Sequence, residues 1–371
     1  MAPPRRPQEA LLGALSALQE HGSQTKAAAA LGMSRSGFQA QLRDARAVAE
    51  PRITLPQFPD DDLPVEDLIE RMERRYEKRH DAHQARQWFP VKVNVEGPVG
   101  ILWFGDPHVD DDGCNWPLLR RHVELAKQPG IFGANIGDTT NNWSGRLARL
   151  FANQETSQKT ARKLARWFLT ESGVTWLLWL LGNHDAWGDG SEILRLMNAQ
   201  AIPMEDWQAR FRLVFPNGRE ARIHAAHNFP GNSMWNTLHG PQRAAHTKAE
   251  AHLYVAGHTH NWALHQEESA SREFTYWLAR ARGYKHLDSY AENLGHVSQK
   301  EGAAILSVFD PDATSMTGFL TCFADPEEGA DFLAFKRSRN TRSSGSASPT
   351  RSPRAGGKRT ARRVTTTTGR G

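Results

Sequence analysis

Short apolar runs, each followed at once by a glycine and polar residues, recur through the middle of the chain. They span Val99–Phe104, Gly133–Ile136, Trp176–Leu181 and Leu253–Ala256. Runs of this length with such boundaries are typical of strands buried on both faces. A further segment, Ala221–Ala225, alternates between apolar and polar residues as a half-buried strand does. The pattern predicts an α/β domain, in which the loops after the strands gather at one edge of a sheet.

The first fifty residues have helical periodicity instead. Leucines at helical spacing predict a first helix that ends at Gly22. The alanine-rich segment Thr25–Leu31 predicts a short second helix, after which Gly32 stands where a left-handed C-cap is expected. Ser34 is placed to cap a third helix. The pattern therefore predicts a small all-α module at the N-terminal end.

A linker and a charged helix join the two patterns. Three prolines between residues 51 and 62 forbid a helix there and indicate an extended linker. A helix is predicted over about Val65–Gln87, supported by the i, i+4 pair Glu70 and Arg74. Its apolar stripe consists of Leu68, Met72 and Tyr76. The helix is either a solvated connector or a dimerising element, and the sequence leaves both interpretations open.

Positive charge is concentrated at the C-terminal end. Of the 46 Lys and Arg residues, 11 lie between Lys336 and Gly371, a segment without Asp or Glu. The rest of the chain holds 35 basic and 41 acidic residues and is mildly acidic. The segment is rich in Ser, Thr, Gly and Pro, so it is predicted to be a disordered basic tail. Such a tail is either a solvating extension or a non-specific arm for nucleic-acid phosphates.

Cysteine content and apolar runs restrict the compartment. Only Cys114 and Cys322 are present, too few for a disulfide framework or a cysteine-rich zinc site. The N-terminal residues lack the apolar stretch of a signal peptide. The longest apolar run, Val174–Leu181, is far shorter than the roughly 20 residues that span a bilayer. We therefore expect a cytoplasmic protein without a membrane partner.

Polar residues with metal-binding chemistry follow the predicted strands. The blocks are Gly105–His108, Gly137–Asn141, Gly182–Asp185, the single residue His227, and Gly257–His260. Each multi-residue block sets Asp, Asn or His close to a glycine. His224 falls inside the predicted strand, whereas His227 falls just beyond it, so His227 is the expected ligand. Carboxylate, amide and imidazole groups together suit two borderline divalent metals better than a thiolate zinc site.

These blocks resemble the calcineurin-like metallophosphoesterases, whose pattern is D-x-H, G-D-x-x-D, G-N-H-[DE], H and G-H-x-H. The resemblance covers roughly Val91 to Phe323, and every block is present in order. One departure is Asn141, where many members have Asp. The resemblance implies a two-sheet sandwich flanked by helices and a phosphoric ester hydrolase activity.

The resemblance also assigns roles. It implies that a first metal is held by Asp106, His108, Asp138 and His260, and a second by Asp138, Asn183, His227 and His258. Two divalent ions are expected, manganese first, with iron or zinc as alternatives, and a hydroxide that bridges them would be the nucleophile. His184 would donate a hydrogen bond or a proton to the leaving group, and Asp185 would fix the tautomer of the His184 ring. The alternative for His184 is that it only orients neighbouring groups.

The N-terminal module is similar to a helix-turn-helix of bacterial transcription factors, notably in Ala28–Ser34. This resemblance places the third helix in the major groove of DNA. The implied DNA contacts are Lys26, Arg35, Ser36, Gln39 and Arg43. A protein-interaction module of three helices is the alternative. The combination with a phosphoesterase domain resembles proteins of phages and prophages.

Together, these features predict a helix-turn-helix module (1–50), a linker and charged helix (51–90), a metallophosphoesterase domain (91–335) and a disordered basic tail (336–371). The predicted activity is metal-dependent phosphoester hydrolysis, with DNA as the substrate of a phosphodiesterase or nuclease. One alternative is a phosphatase acting on proteins or small nucleotides. Another is a DNA-binding regulator whose phosphoesterase domain is inactive. The sequence leaves the oligomeric state open.

Overall fold

The computed structural model describes residues 8–49, 62–231, 233–247, 250–269, 274–287 and 302–345. The chain forms two compact units, one ending at Tyr76 and the other beginning at Glu77. Predictions about most of the linker before the charged helix, and about residues 346–371, lie outside the described residues.

Three helices make up the start of the first unit: α1 (Gln8–His21), α2 (Gln24–Ala30) and α3 (Arg35–Ala49). Gly22 and Gly32 end α1 and α2 with positive φ angles of 64° and 63°, the backbone conformation that glycine adopts without strain. The Ser34 hydroxyl accepts a hydrogen bond from the Gly37 amide at 3.1 Å and caps α3. Phe38 is fully buried among alanines of α1 and α2. The three predicted helices are confirmed.

The charged helix α4 (Val65–Ala85) follows, close to its predicted bounds. None of its side chains is buried, and its predicted apolar stripe is exposed. Arg74 and Glu70 form the expected i, i+4 pair, with 3.2 Å between Nη1 and Oε2. Exposed pairs of this kind contribute only about 0.3–0.5 kcal/mol, so the helix gains little from them.

The second unit alternates strands and helices. In chain order these are β1 (Phe89–Lys92), β2 (Val99–Phe104), α5 (Trp116–Ala126), β3 (Ile131–Asn135), α6 (Gln158–Arg166), β4 (Trp176–Leu181), α7 (Asn183–Ala186), α8 (Gly190–Met197), β5 (Met204–Asp206), β6 (Gln208–Val214), β7 (Glu220–Ala226), α9 (His239–Thr247), β8 (Leu253–Ala256), β9 (Ala263–Ser269), β10 (Phe274–Arg280), β11 (Ala304–Phe309), α10 (Met316–Phe319), β12 (Leu320–Phe323) and α11 (Pro326–Gly345). A 3-10 helix (Gly145–Asn153) and a π-helical turn (Trp167–Glu171) lie on either side of α6. The strands predicted at β2, β4 and β8 have the predicted bounds.

The described strands form two six-stranded mixed sheets. One has the order β12-β11-β2-β3-β4-β5, in which β2 to β5 are parallel. The other has the order β1-β6-β7-β8-β10-β9, in which β7 and β8 are parallel. The prediction of a two-sheet α/β sandwich flanked by helices is confirmed.

The core explains why the central strands are apolar throughout. Ile101 and Trp103 of β2 join a cluster with residues of the opposite sheet, such as Phe211 and Val255. The alternate residues of β2 pack in a second cluster with α5 and α11. Because both faces of β2 and β4 are covered, every residue in these strands is buried. This rigid framework fixes where the loops after the strands begin.

The segment predicted as a disordered tail begins with helix. Helix α11 runs through Lys336 and Arg337 to Gly345, ten residues into that segment. Leu333 anchors the helix in the core, the Lys336 ammonium meets Asp310 at 2.7 Å, and the Arg337 guanidinium donates to the Pro98 carbonyl at 2.7 Å. Composition contains no information about these tertiary contacts, so it did not predict this part of the helix.

Cys114 and Cys322 are both buried free thiols. Across the described residues, no helix combines the length and the apolar content needed to span a membrane.

Candidate metal centre

The polar blocks meet at one edge of the sandwich. Parallel strands β2, β3 and β4 of one sheet lead to Asp106, Asp138 and Asn183, and the parallel strands β7 and β8 of the other lead to His227 and His258. Three groups of ligand atoms form there, with the atoms of each group within 4.8 Å of one another. They are Asp106, His108 and His260; His108, Asp138 and His184; and Asp138, His227 and His258. The geometry brings the predicted ligands together.

The first group consists of Asp106, His108 and His260. His260 Nε2 lies 3.3 Å from Asp106 Oδ2. Among the described residues, neither carboxylate oxygen of Asp106 and neither ring nitrogen of His108 has a hydrogen-bond partner of normal geometry, although all four atoms are buried. Buried polar atoms without partners cost free energy, so these atoms require a ligand. A divalent cation fits them.

The second group converges on His227. Its Nδ1 is 3.0 Å from the Ile136 carbonyl, to which it donates, so Nε2 holds the lone pair in the neutral ring. Nε2 lies 2.9 Å from Asn183 Oδ1, 3.0 Å from His258 Nδ1 and 3.3 Å from Asp138 Oδ2. Four electron-pair donors pointing at one another repel unless a positive charge lies between them. Mixed oxygen and imidazole donors suit borderline divalent metals.

Asp138, the predicted shared ligand, lies between the two groups. It belongs with His108 in one cluster of ligand atoms and with His227 in another. Its Oδ1 accepts the backbone amide of His184 at 2.9 Å, while its Oδ2 faces the imidazoles. The two oxygens of the Asp138 carboxylate are thus held where together they can bind a metal in each group.

Ionisation at this edge is strongly coupled. Burial favours the neutral form of Asp138, but the His227 imidazole outweighs it and holds the pKa of the carboxyl well below its usual range. Burial likewise lowers the pKa of His227, yet the Asp138 carboxylate prevails and raises it to about 9. At neutral pH the His227 Nε2 proton therefore occupies the place of a cation. Metal binding must displace it, so the affinity falls as the pH falls.

Several of the predicted ligands have unusual backbone angles. The φ angles are 27° at Asp106, 41° at His108, 54° at Asp138, 72° at His258 and 51° at His260. Non-glycine residues in this left-handed region are uncommon and cost about 1–3 kcal/mol each. His258 and His260 are therefore not extended neighbours that point the same way. They serve different groups of ligand atoms.

Two glycines have no side chain where the carboxylates of Asp138 and Asp106 lie, and so make room for them. A Cβ at Gly182 would collide with Asp138 Oδ1, and one at Gly257 would collide with Asp106 Oδ1. The glycine at the start of these blocks is therefore a steric requirement of the ligand cluster.

Arg280, at the end of β10, holds the loop that carries His258 and His260. This residue is almost fully buried, and its Nη1 donates to the Gly257 carbonyl and, at 3.0 Å, to the Thr259 hydroxyl. Its Nε donates to the Thr237 carbonyl at 3.0 Å. Sequence reasoning missed Arg280, because nothing in its own segment marks it.

His184 lies beside the cluster but is oriented differently from the expectation. Its Nδ1 contacts the Asn141 carbonyl at 2.5 Å, so the carbonyl fixes the tautomer. Asp185 does not reach the ring: its two oxygens accept the backbone amides of Thr139 (3.0 Å) and Gly182 (2.9 Å). The predicted contact between Asp185 and His184 is wrong, because Asp185 points back along its own turn. Burial and the Asp138 charge raise the pKa of Asp185 to about 7.

Asn141, the departure from the family pattern, has a local explanation. Its side-chain amide donates to Asp111 Oδ2 at 2.6 Å and to Gln154 Oε1 at 3.1 Å. Its backbone amide donates to Asp110 Oδ1 at 2.7 Å. A carboxylate at position 141 would face Asp111 without a proton to donate. Lys285, whose Nζ is 3.0 Å from Asp111 Oδ2, completes the same network. The acidic residues that follow Val109 are the feature of the sequence that could have indicated this network.

The predicted DNA-contact residues lie in the first unit. Lys26 on α2, and Arg35, Ser36, Gln39 and Arg43 on α3, are all exposed. Residues 35, 39 and 43 are four apart, so they share one face of α3. Gln39 Nε2 also donates to Gln24 Oε1 of α2 at 3.2 Å.

Comparison with models of protein families gave no match, and neither did comparison with curated protein sequences. Among solved structures, the chain is similar to the crystal structure of a metallophosphoesterase from Sphaerobacter thermophilus. The identity is 13%, the TM-score is 0.33, and the match covers 65% of this chain and 98% of the other.

Proposed function

We propose that this protein is a metal-dependent phosphoester hydrolase with two divalent metal ions. The observation that carries the proposal is the series of adjoining ligand clusters at this edge, in which Asp138 lies with His108 in one cluster and with His227 and His258 in the next. Asp106, His108 and His260 would complete one site, and Asn183, His227 and His258 the other. A pair of divalent cations supplies neutralisation of charge on phosphoryl oxygens and lowers the pKa of water. Manganese suits this mixture of oxygen and imidazole donors, with iron or zinc as alternatives.

The chain's own residues supply orientation and a proton. The Asn141 carbonyl accepts from Nδ1 of His184, which leaves Nε2 facing the cluster, 3.9 Å from Asp138 Oδ2. In its charged form the ring can deliver the Nε2 proton to the oxygen of the leaving group. Rings of Trp143 and Trp187, with centroids 5.1 and 4.2 Å from that of His184, restrict its movement and shield it from water.

DNA is the substrate that we propose. Three features support it: the resemblance of residues 8–49 to a helix-turn-helix, the exposed face with Arg35, Gln39 and Arg43, and the basic C-terminal sequence. Because the rest of the chain is mildly acidic, attraction to phosphates must come from these basic parts. Two buried free thiols fit a cytoplasmic setting, and the combination of modules is the basis of the phage-like interpretation.

Two alternatives make different predictions. A phosphatase would use the same cluster on monoesters, with the N-terminal module serving only for location. A regulator with an inactive domain would have no use for the buried donor atoms of Asp106 and His108, so the ligand set favours an enzyme.

Hydrolysis with a substrate panel tests the proposal. With Mn²⁺, the full chain is expected to cleave bis-p-nitrophenyl phosphate and DNA, and to cleave p-nitrophenyl phosphate much more slowly. Protein treated with a chelator is the control, and it should regain activity when Mn²⁺ is returned. Cleavage of the monoester alone would favour the phosphatase. No turnover of any of these substrates with Mn²⁺, Fe²⁺ or Zn²⁺ would contradict the hydrolase.

The α3 face has its own test. Replacing Arg35 and Arg43 together with alanine is expected to weaken duplex binding and to flatten the plot of log affinity against log salt. The slope should change by about 0.9 for each lost phosphate contact. The matched control replaces exposed Arg120 and Lys159, which removes the same charge from the second unit. Equal slopes for the two double variants would rule out DNA contact by α3.

A further inference from the structure

The loop between β7 and α9 exposes two large apolar side chains next to each other. Met234 is 88% exposed and Trp235 is 92% exposed. Single apolar side chains on a surface are ordinary, but an adjacent Met and Trp at a loop tip form an apolar patch without cover from the described residues. A tryptophan displayed in this way loses the free energy that burial would give, so a binding role is its natural explanation.

Both ends of this loop are fixed at the metal centre. It starts directly after His227, whose Nε2 lies among the donors of the second group. Near its other end, the Thr237 carbonyl accepts from Arg280, and the same guanidinium holds Gly257 and Thr259, which flank His258. Trp235 is two residues from Thr237, so their Cα atoms are within about 7 Å of each other. Arg280 therefore joins the base of the exposed tip to the loop that carries His258 and His260.

The tip is held by its own hydrogen bonds. The Ser233 hydroxyl accepts from the backbone amides of Trp235 (3.2 Å) and Asn236 (3.1 Å). The Asn236 side chain accepts from the Leu238 amide at 2.9 Å and donates to Gln242 at 3.0 Å. A side chain presented on an ordered turn loses less conformational entropy when a ligand binds it.

Charge in this segment favours a phosphate-bearing ligand. Residues 228–247 contain no Asp or Glu, while Arg243 lies among them. The Arg243 guanidinium reaches back to the Pro230 carbonyl at 3.5 Å, at the start of the same loop. Arg243 is thus a cation held at the start of the loop that bears Trp235. Proteins bind single-stranded nucleic acid with aromatic rings that stack on bases and with cations that meet the backbone.

We infer that Trp235, with Met234 beside it, stacks on an unpaired nucleobase of the strand presented to the metal centre. The inference rests on the proposed function and narrows its substrate class to unpaired DNA. A base inside a duplex is covered by its neighbours on both faces, whereas an unpaired base offers a free face to the ring.

The test is a binding cycle with Mn²⁺-loaded full-length protein. The probes are a twelve-residue thymidine oligonucleotide and an abasic chain of the same length, both with phosphorothioate linkages that resist cleavage. Trp235→Ala is expected to weaken thymidine binding by about five- to 150-fold, the loss of one stacked base. It should leave abasic binding unchanged, and Trp235→Phe should retain most of the affinity. Phe335→Ala, which removes an exposed aromatic ring of α11, is the control and should bind as wild type.

The outcomes separate this inference from the proposed function. Unchanged thymidine binding by Trp235→Ala, or an equal loss with the abasic chain, overturns stacking. A protein partner at the tip predicts no preference for bases over the abasic chain and has the same consequence. Failure of the wild type to hydrolyse bis-p-nitrophenyl phosphate would overturn the hydrolase while leaving the binding cycle interpretable. Manganese content and thermal midpoint show that each variant is folded.

Discussion

Asp138→Ala is expected to lower hydrolysis of bis-p-nitrophenyl phosphate by about a thousandfold or more and to reduce bound manganese from two ions per chain to less than one. The reason is that Asp138 shares one cluster of ligand atoms with His108 and another with His227 and His258. Its removal also leaves the His184 backbone amide without its acceptor. Elemental analysis and steady-state kinetics on the same preparation measure both effects.

Two companion variants make this result specific. His108→Ala should lose metal mainly from the first group, since His227 and His258 remain. Asp189→Ala removes an exposed carboxylate that pairs with Arg162 and should retain both metals. If Asp138→Ala retained two manganese ions and activity within tenfold of wild type, the assignment of Asp138 as the shared ligand would be wrong.

His184→Ala is expected to keep both metals while turnover falls by about 10²–10⁴-fold, the usual contribution of a proton donor. Its ring lies beside Asp138 but takes its orientation from the Asn141 carbonyl, outside the ligand set. Esters of p-nitrophenol should be affected least, because this leaving group needs little protonation. A DNA phosphodiester, with a poorer leaving group, should be affected most.

The comparison between leaving groups is the decisive measurement for His184. Equal losses for both substrate types would indicate that the ring only orients its neighbours. Loss of manganese would instead make His184 a ligand, as its place in the cluster with His108 and Asp138 allows. His246→Ala, on the exposed surface of α9, is the control and should retain metal and turnover.

Much of the fold and of the candidate site could be predicted because both depend on local pattern. An apolar run buried on both faces, such as β2 or β4, can hardly be anything but a central strand. The residues just after such a strand must emerge at the sheet edge, and this explains why Asp106 and Asn183 both lie there. The distinction between His224 and His227 also follows from strand length: His224 is in β7, and His227 is just past its end.

The remaining features depend on contacts that local pattern does not contain. The direction of Asp185 depends on how its turn closes onto Gly182 and Thr139. Arg280 acts on residues more than twenty positions away in the sequence, and it has no motif of its own. The helix through Lys336 is stabilised by Asp310 and the core, whereas composition indicated disorder. In each case tertiary contacts decided the outcome.

The left-handed backbone at five of the predicted metal ligands, Asp106, His108, Asp138, His258 and His260, has a consequence for protein engineering. Each of these Asp and His residues occupies a conformation that glycine adopts without strain. A library selected only for heat resistance, in medium without manganese, would therefore enrich substitutions such as His258→Gly and His260→Gly. These variants would have a higher thermal midpoint but no catalytic activity. Each round of thermal selection must therefore include an assay of metal-dependent hydrolysis. Thermal stability and catalytic activity place opposite demands on these residues.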